Sequence, residues 1–258
     1  DTLTGGNGLD TASYKDSTAA VNVNLFTNIN TGGAAAGDSL ITIENAIGSD
    51  HDDTLTGNAV NNVLEGGAGA DLIDGGLGLD LVSYEGSDKA VTVDLSIAGA
   101  QISTGDAADD TLIGIEGIIG SDKADTLTGN GSANKLIGGK GDDTIAADCG
   151  NDTVDGGNGA DRIILNAEFT ALDRIDGGDG KDTLILDGNY SAGIKLAAAT
   201  LVNVEVVELA AGNSYKFTLH DDNNTDSLFF DGSALADDET LVVIGTAETA
   251  SQLKATGG

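Results

Sequence analysis

The chain is predicted to be all-β and wound as a parallel solenoid, and three observations predict it. A hexapeptide, Gly-Gly-x-Gly-x-Asp, recurs at residues 5–10, 66–71, 75–80, 138–143, 156–161 and 177–182. In nine-residue units opening at Gly48, Gly57, Gly66, Gly75, Gly120, Gly129, Gly138, Ala147 and Gly156, position eight is always a branched aliphatic: Leu55, Leu64, Ile73, Val82, Leu127, Leu136, Ile145, Val154 and Ile163. Pro, Met and Trp are absent and aromatics make up 3% of the chain, so a thick core of large side chains is hard to build. A fixed short period calls for stacked repeats. One inward apolar residue per unit, between Gly-rich loops, describes a very short strand rather than a helix. Two units then form one coil turn, and the position-eight residues form a narrow apolar column.

Taken in order, residues 1–47 hold a first roll unit and a strand-rich insert, 48–83 a regular roll, 84–119 a second insert, and 120–185 a second roll. Residues 186–258 form a β-rich segment leading into a further repeat array. Less obvious units keep the register: 33–41 places Asp38 at position six and Leu40 at position eight, 105–113 does the same with Asp110 and Leu112, and 168–176 with Asp173 and Ile175. A longer repeat of about seventy residues overlies these. Ser13-Tyr14 with Val21, Val23 and Leu25 returns as Ser83-Tyr84 with Val91, Val93 and Leu95, and this alternation predicts longer strands in the inserts. Leu40-x-x-Ile43-Glu44 returns as Leu112-x-x-Ile115-Glu116, with a third echo in Leu201-Val202-Asn203-Val204-Glu205. From Thr183 the register fades while strand-like stretches persist at 183–186, 204–209 and 240–244, so residues 183–256 read as a wider β-helical or sandwich-like segment. Residues 1–4 resemble the tail of a nonapeptide and residues 257–258 the start of another, which reads as a piece of a longer array whose targeting signals lie outside it.

The net charge is −32, from 43 acidic against 11 basic residues, and the acids are 34 Asp to 9 Glu. Asp is favoured where a carboxylate must stay near its own backbone, as in turns and oxygen-rich metal loops. Such an excess argues that something cationic holds the fold together, and argues against nucleic acid or acidic polysaccharide as a partner. No apolar run approaches the ~18 residues of a membrane span, so the chain reads as soluble, without membrane insertion. A single cysteine, Cys149, excludes an internal disulfide framework, and metal is the obvious substitute staple.

The hexapeptide has the composition a calcium loop needs. Glycines leave carbonyl oxygens uncovered, and calcium accepts roughly 6 to 8 oxygens in flexible geometry, so main-chain carbonyls and one carboxylate per loop suit it. One loop supplies too few ligands, which places each ion between loops on the same edge of the coil. The pairs are Asp53 with Asp71, Asn62 with Asp80, Asp125 with Asp143, Asn134 with Asp152, and Asp143 with Asp161. A three-residue insertion at Leu165 shifts two more, Asp152 with Asp173 and Asp161 with Asp182. Asp10, Asp38 and Asp110 and the loop glycines Gly66, Gly75, Gly138, Gly156 and Gly177 complete the candidate ligands. Asn62 and Asn134 keep an oxygen but lose the charge.

On these loops the array resembles the RTX calcium-binding proteins, strictly at the six hexapeptides and loosely over most of residues 1–185. The resemblance implies a right-handed parallel β-roll with several calcium ions in both rows of turns, in a protein exported by type I secretion from a Gram-negative bacterium and folded outside the cell. The departures are Ala147-Asp148-Cys149-Gly150 in place of Gly-Gly-x-Gly, and the two asparagines.

Other patterns read as structural. Glu44, Glu116 and Glu205 read as solvated or hydrogen-bonded residues ending strands rather than as calcium ligands. Asp222-x-Asn224-x-Asp226 imitates the start of an EF-hand loop, but Ser227 replaces the required Gly and Ser233 the bidentate Glu. Gly37-Asp38-Ser39-Leu40 spells the nucleophile block of the GDSL hydrolases. Its register-matched copy is Asp109-Asp110-Thr111-Leu112, and neither His51 nor His220 has the Asp three residues before it that such a base would have. Both histidines read as solvated loop residues and Cys149 as a thiol without a role. The expectation is a noncatalytic structural or adhesive segment of a large secreted bacterial surface protein, such as an S-layer, filament or adhesin, with self-association or cell-surface contacts. The rival is an RTX export and folding module of a secreted enzyme or toxin; a third reading gives residues 183–256 a carbohydrate-binding role.

Overall fold

A computed structural model describes residues 1–220, 228–245 and 254–257, the last stretch as backbone only. The described residues contain short β-strands and two 3-10 turns, Gly33–Ala35 and Gly105–Ala107, and no α-helix. They form two compact units, 1–127 and 128–258.

In the first unit one parallel ladder runs Thr11–Ser13, Asn45–Ile47, Val63–Glu65, Leu81–Ser83 and Gly117–Ile119, and another runs Asn22–Asn24, Thr54–Thr56, Leu72–Asp74 and Thr111–Ile113. Leu55 pairs with Ile73 and Leu64 with Val82, which is the register two nine-residue units dictate. Most strands have three residues, and their middle residue points inward: Leu55, Leu64, Ile73 and Val82 are all fully buried. Only such a pattern lets a coil this narrow exclude water from both sheets at once.

The inserts are wider excursions of the same coil. Ala12 pairs with Ala46, Val82 with Ile118 and Ile73 with Leu112, so intervening residues loop out while the stack stays parallel. Their strands are no longer than the rest, contrary to what the Val-x-Val-x-Leu alternation predicts: Asn22–Asn24 and Thr92–Asp94 have three residues each. The reason is local. The Val21 and Val91 N–H groups donate to Asp53 Oδ1 and Asp125 Oδ1, so each valine belongs to the loop edge. After Asn24, the Asn24 side chain turns the chain by accepting the Thr27 N–H at 2.7 Å.

In the second unit the ladders are Lys135–Lys140, Thr153–Gly159, Arg174–Asp176 and Leu201–Val202, and Thr144–Ala146, Arg162–Leu165, Thr183–Leu186, Val206–Leu209, Phe229–Gly232 and Lys254–Gly257. The C-terminal coils widen, with a third parallel sheet of Tyr190–Lys195, Tyr215–Thr218 and Leu241–Ile244. Of the two readings offered by the sequence, the parallel pairing is β-helical. Its core is a run of rings, Tyr190, Tyr215, Phe217 and Phe230, all buried.

Candidate metal centre

Position six of the loop is where the structure concentrates charge inside the protein. Asp53, Asp71, Asp80, Asp110, Asp125, Asp143, Asp152, Asp161, Asp173 and Asp182 are all at most 2% exposed. Backbone N–H groups of one loop donate to the carboxylate of the next in a vertical ladder. The Asp53 N–H donates to Asp71 Oδ1 at 2.7 Å, Asn62 to Asp80 at 2.7 Å, Asn134 to Asp152 at 2.8 Å, Asp143 to Asp161 at 2.8 Å, Asp152 to Asp173 at 2.8 Å and Asp161 to Asp182 at 2.8 Å. These are pairs named from the sequence spacing. Asp125 belongs to the first unit and Asp143 to the second. The ladder also bridges an insert, from the Asp71 N–H to Asp110 Oδ1 at 2.8 Å.

The other carboxylate oxygen divides the loops into two kinds. The Oδ2 atoms of Asp10, Asp71, Asp80, Asp152, Asp161 and Asp182 are buried with no hydrogen-bond partner. A buried carboxylate oxygen left unsatisfied is costly, and a row of them repels itself. Burial accordingly pushes the Asp71 carboxyl up to about 8, and those of Asp152 and Asp182 up to about 6, with neighbouring carboxylates adding to the rise.

In the second kind the protein supplies the partner. Ser49 N–H and Oγ both donate to Asp53, and Ser121 N–H and Oγ to Asp125 at 2.5 and 2.9 Å. Asn62 Oδ1 and Asn134 Oδ1 accept the Asn58 and Asn130 N–H groups at 2.7 Å, and the neutral Asn62 amide donates to Glu44 O at 2.6 Å. Thr170 N–H donates to Asp173 Oδ2 at 2.7 Å. The repeated Ser-Tyr pairs gain a purpose here: Tyr14 OH donates to Asp38 Oδ2 at 3.1 Å and Tyr84 OH to Asp110 Oδ2 at 3.0 Å. Asp110, whose carboxyl burial raises to about 7, thus has both oxygens engaged.

The position-one glycines show where the second side-chain oxygen of each loop points, partnered or not. A Cβ added to Gly156 would lie 2.5 Å from Asp161 Oδ2 and collide with Gly177 O of the next rung; at Gly138 it would collide with Asp143 Oδ2 and Gly156 O. The same holds for Gly48 with Gly66 O and Gly57 with Gly75 O, while Gly66 faces Asp71 Oδ2. Gly48, Gly138 and Gly156 therefore each keep open a small space where a carboxylate oxygen meets a main-chain carbonyl, and Gly57 one where the Asn62 amide oxygen does. Position two adds a backbone requirement, since Gly67, Gly76, Gly139, Gly157 and Gly178 have φ between 92° and 105°. These donors are all hard oxygens, which suits calcium. Among the described residues no three His, Cys, Asp or Glu side chains converge on a point, so carbonyls must supply much of any ion's shell. Ala147 sets a buried methyl at position one, where the other regular loops keep a glycine, so the loop at 147–152 leaves an ion less room.

Glu44, Glu116 and Glu205 are hydrogen-bonded, each accepting a loop Asp N–H. His51 and His220 are exposed, and Cys149 is half-buried and outside any disulfide. The Asp222-x-Asn224-x-Asp226 pattern lies outside the described residues.

Comparison with known families matches the RTX calcium-binding nonapeptide repeat in four copies, over residues 47–82, 118–145, 141–167 and 172–189. No curated protein matches the chain.

Proposed function

We propose that this chain, which carries RTX calcium-binding nonapeptide repeats on parallel β-sheets, is a calcium-folded structural or adhesive segment of a large secreted bacterial surface protein, without catalysis of its own. The observation that supports calcium as the organiser is the row of buried, unpartnered Asp Oδ2 atoms facing glycine-cleared spaces lined by carbonyl oxygen. An ion there neutralises carboxylates that otherwise repel and supplies the partner that each lacks. With a dissociation constant of about 10⁻⁴ M, free calcium 100-fold higher stabilises the folded state by about 2.7 kcal/mol per site. Several sites together offset the weakness of a core built from one aliphatic side chain per strand. Extension and stiffness are what such a ladder provides, and they serve assembly at a surface better than they serve turnover.

Calcium titrated into the metal-stripped chain is expected to drive a cooperative coil-to-β transition in far-UV circular dichroism at millimolar concentration, with magnesium ineffective. β-structure indifferent to chelation sinks the calcium reading. Light scattering of the loaded chain then tests assembly: calcium-dependent growth beyond the monomer supports the surface role, and a persistent monomer with no affinity for bacterial cells removes it.

A further inference from the structure

Three loops replace the hexapeptide by a three-residue substitute built to one plan. The strands Ser39–Ile41, Thr111–Ile113 and Leu201–Val202 are followed by residues 42–44, 114–116 and 203–205. Each substitute opens on a left-handed residue, Thr42 at φ 50°, Gly114 at 57° and Asn203 at 50°. A β-branched Thr seldom adopts that conformation, so something specific is obtained by it. What is obtained is a carbonyl: Thr42 O, Gly114 O and Asn203 O lie against the position-one glycines Gly5, Gly75 and Gly177, where Gly177 O and Gly156 O lie in the regular loops. The middle residue, Ile43, Ile115 or Val204, is buried as an anchor. The closing Glu then accepts the N–H of Asp10 at 3.1 Å, Asp80 at 3.0 Å or Asp182 at 2.7 Å, as a position-six Asp does one rung on elsewhere. The extra methylene of Glu makes up the reach that the shorter loop lacks.

Facing these substitutes, Asp80 and Asp182 are fully buried with Oδ2 unpartnered. A Cβ added to Gly75 or Gly177 would lie 2.9 or 2.8 Å from these oxygens and collide with Gly114 O or Asn203 O, so oxygen of both kinds faces the same small space. Asp10 Oδ2 is likewise unpartnered beside Gly5 and Thr42 O. All three substitutes fall outside the stretches that match the repeat family.

We propose that residues 42–44, 114–116 and 203–205 each complete a mixed calcium site with the glycine-rich loop before them, the ion taking a carboxylate oxygen of Asp10, Asp80 or Asp182, the carbonyl of residue 42, 114 or 203, and the carboxylate of Glu44, Glu116 or Glu205. The sites lie where the two inserts and the C-terminal segment rejoin the stack, so each return of the chain is fastened by an ion without a full nonapeptide. The proposal rests on the reading of the regular loops as calcium sites.

The test uses the full chain and calcium alone as probe. Glu116→Gln and Glu205→Gln keep an acceptor for the Asp N–H and remove the charge; Asp161→Asn does the same to a regular loop. Bound calcium is counted by equilibrium dialysis, with folding checked at saturating calcium. Each Glu→Gln change is expected to weaken one site about tenfold or more, as loss of a ligand charge does. Unchanged binding in both Glu variants, with one site weakened in Asp161→Asn, overturns the proposal alone; unchanged binding in all three overturns the calcium reading beneath it. Anomalous scattering from calcium-grown crystals of the unaltered chain gives a second answer that does not depend on how the variants fold. A peak between Asp182 and Glu205 upholds the mixed site, and peaks confined to regular loops overturn it.

Discussion

Within the second unit, the strands from residue 135 to 186 and those from 190 to 244 stack in the same parallel manner and are held by opposite means. In the first stretch each strand contributes one main inward aliphatic, such as Leu136, Ile145, Val154 or Ile163, and the loops carry buried carboxylates. In the second, rings fill the interior: Tyr190 and Tyr215 have centroids 5.9 Å apart, Tyr215 and Phe217 6.2 Å, and Phe217 and Phe230 5.3 Å. The Tyr215 hydroxyl has Leu186 O and Ala210 O within reach at 3.0 and 2.9 Å and shares its one proton between them, so the polar part of the ring is satisfied by the chain itself. Among the described residues of this stretch no buried carboxylate oxygen lacks a partner. A wide coil can therefore be closed with aromatic surface, about 150–250 Å² per ring, whereas a nine-residue rung has no room for a ring and is left to an ion.

The sharpest way to break that comparison is to remove calcium and follow hydrogen exchange residue by residue. At about 2.7 kcal/mol per site, loss of even two ions accelerates exchange roughly 10⁴-fold in the strands they clamp. That loss of protection is expected at Thr144–Ala146 and Arg162–Leu165, with Tyr215–Thr218 retaining more of its own. Equal loss in both stretches would mean that the rings do not stabilise their coils independently of the ladder.

Much of this was legible in the sequence because it is periodic. The position-eight column and the pairing of loops one coil apart follow from counting, and Leu55, Ile73 and the Asp53–Asp71 pair lie where the count puts them. What the count could not separate is a loop that leaves Oδ2 unpartnered from one that satisfies it, because that turns on a single side chain outside the repeated signature. Ser at position two, in Ser49 and Ser121, was the available signal, since a hydroxyl there reaches the carboxylate of its own loop. Tyr14 and Tyr84 act from outside the nonapeptide register altogether. Glu44, Glu116 and Glu205 were visible as echoes, but a three-residue substitute falls out of a nine-residue frame. The insert strands were overestimated because alternation of Val21 and Val23 reports burial, and Val21 is buried at a loop edge instead of in a longer strand.

Protons should do part of calcium's work. The Asp71 carboxyl lies at about 8 in the folded, metal-free chain and those of Asp152 and Asp182 at about 6, against an ordinary 3.8. Folding then takes up protons, so the stability they confer is greatest near pH 4 and is lost as pH rises through about 6 to 8. Metal-stripped protein is expected to gain β-structure between pH 8 and pH 4.5, visible in far-UV circular dichroism, with the gain smaller in a variant carrying Asp71→Asn. A metal-free chain that loses β-structure over that interval would show that these carboxylates are not the source of its instability.

The smallest effect expected separates the two kinds of loop directly. In Ser49→Ala the backbone N–H to Asp53 Oδ2 and the Val21 N–H to Asp53 Oδ1 persist, and only the Ser49 Oγ bond at 3.0 Å is lost. One such bond to a carboxylate is worth about 1.5 kcal/mol or somewhat more, which lowers the melting temperature of a chain of this size by roughly 3–6 °C. Because the hydroxyl stands in for an ion, the drop should be the same size at limiting and saturating calcium, with the number of ions bound unchanged. Should the variant instead lose an ion, residues 48–53 would be a calcium loop like residues 66–71, and the serine would belong to the ion's shell rather than replace it.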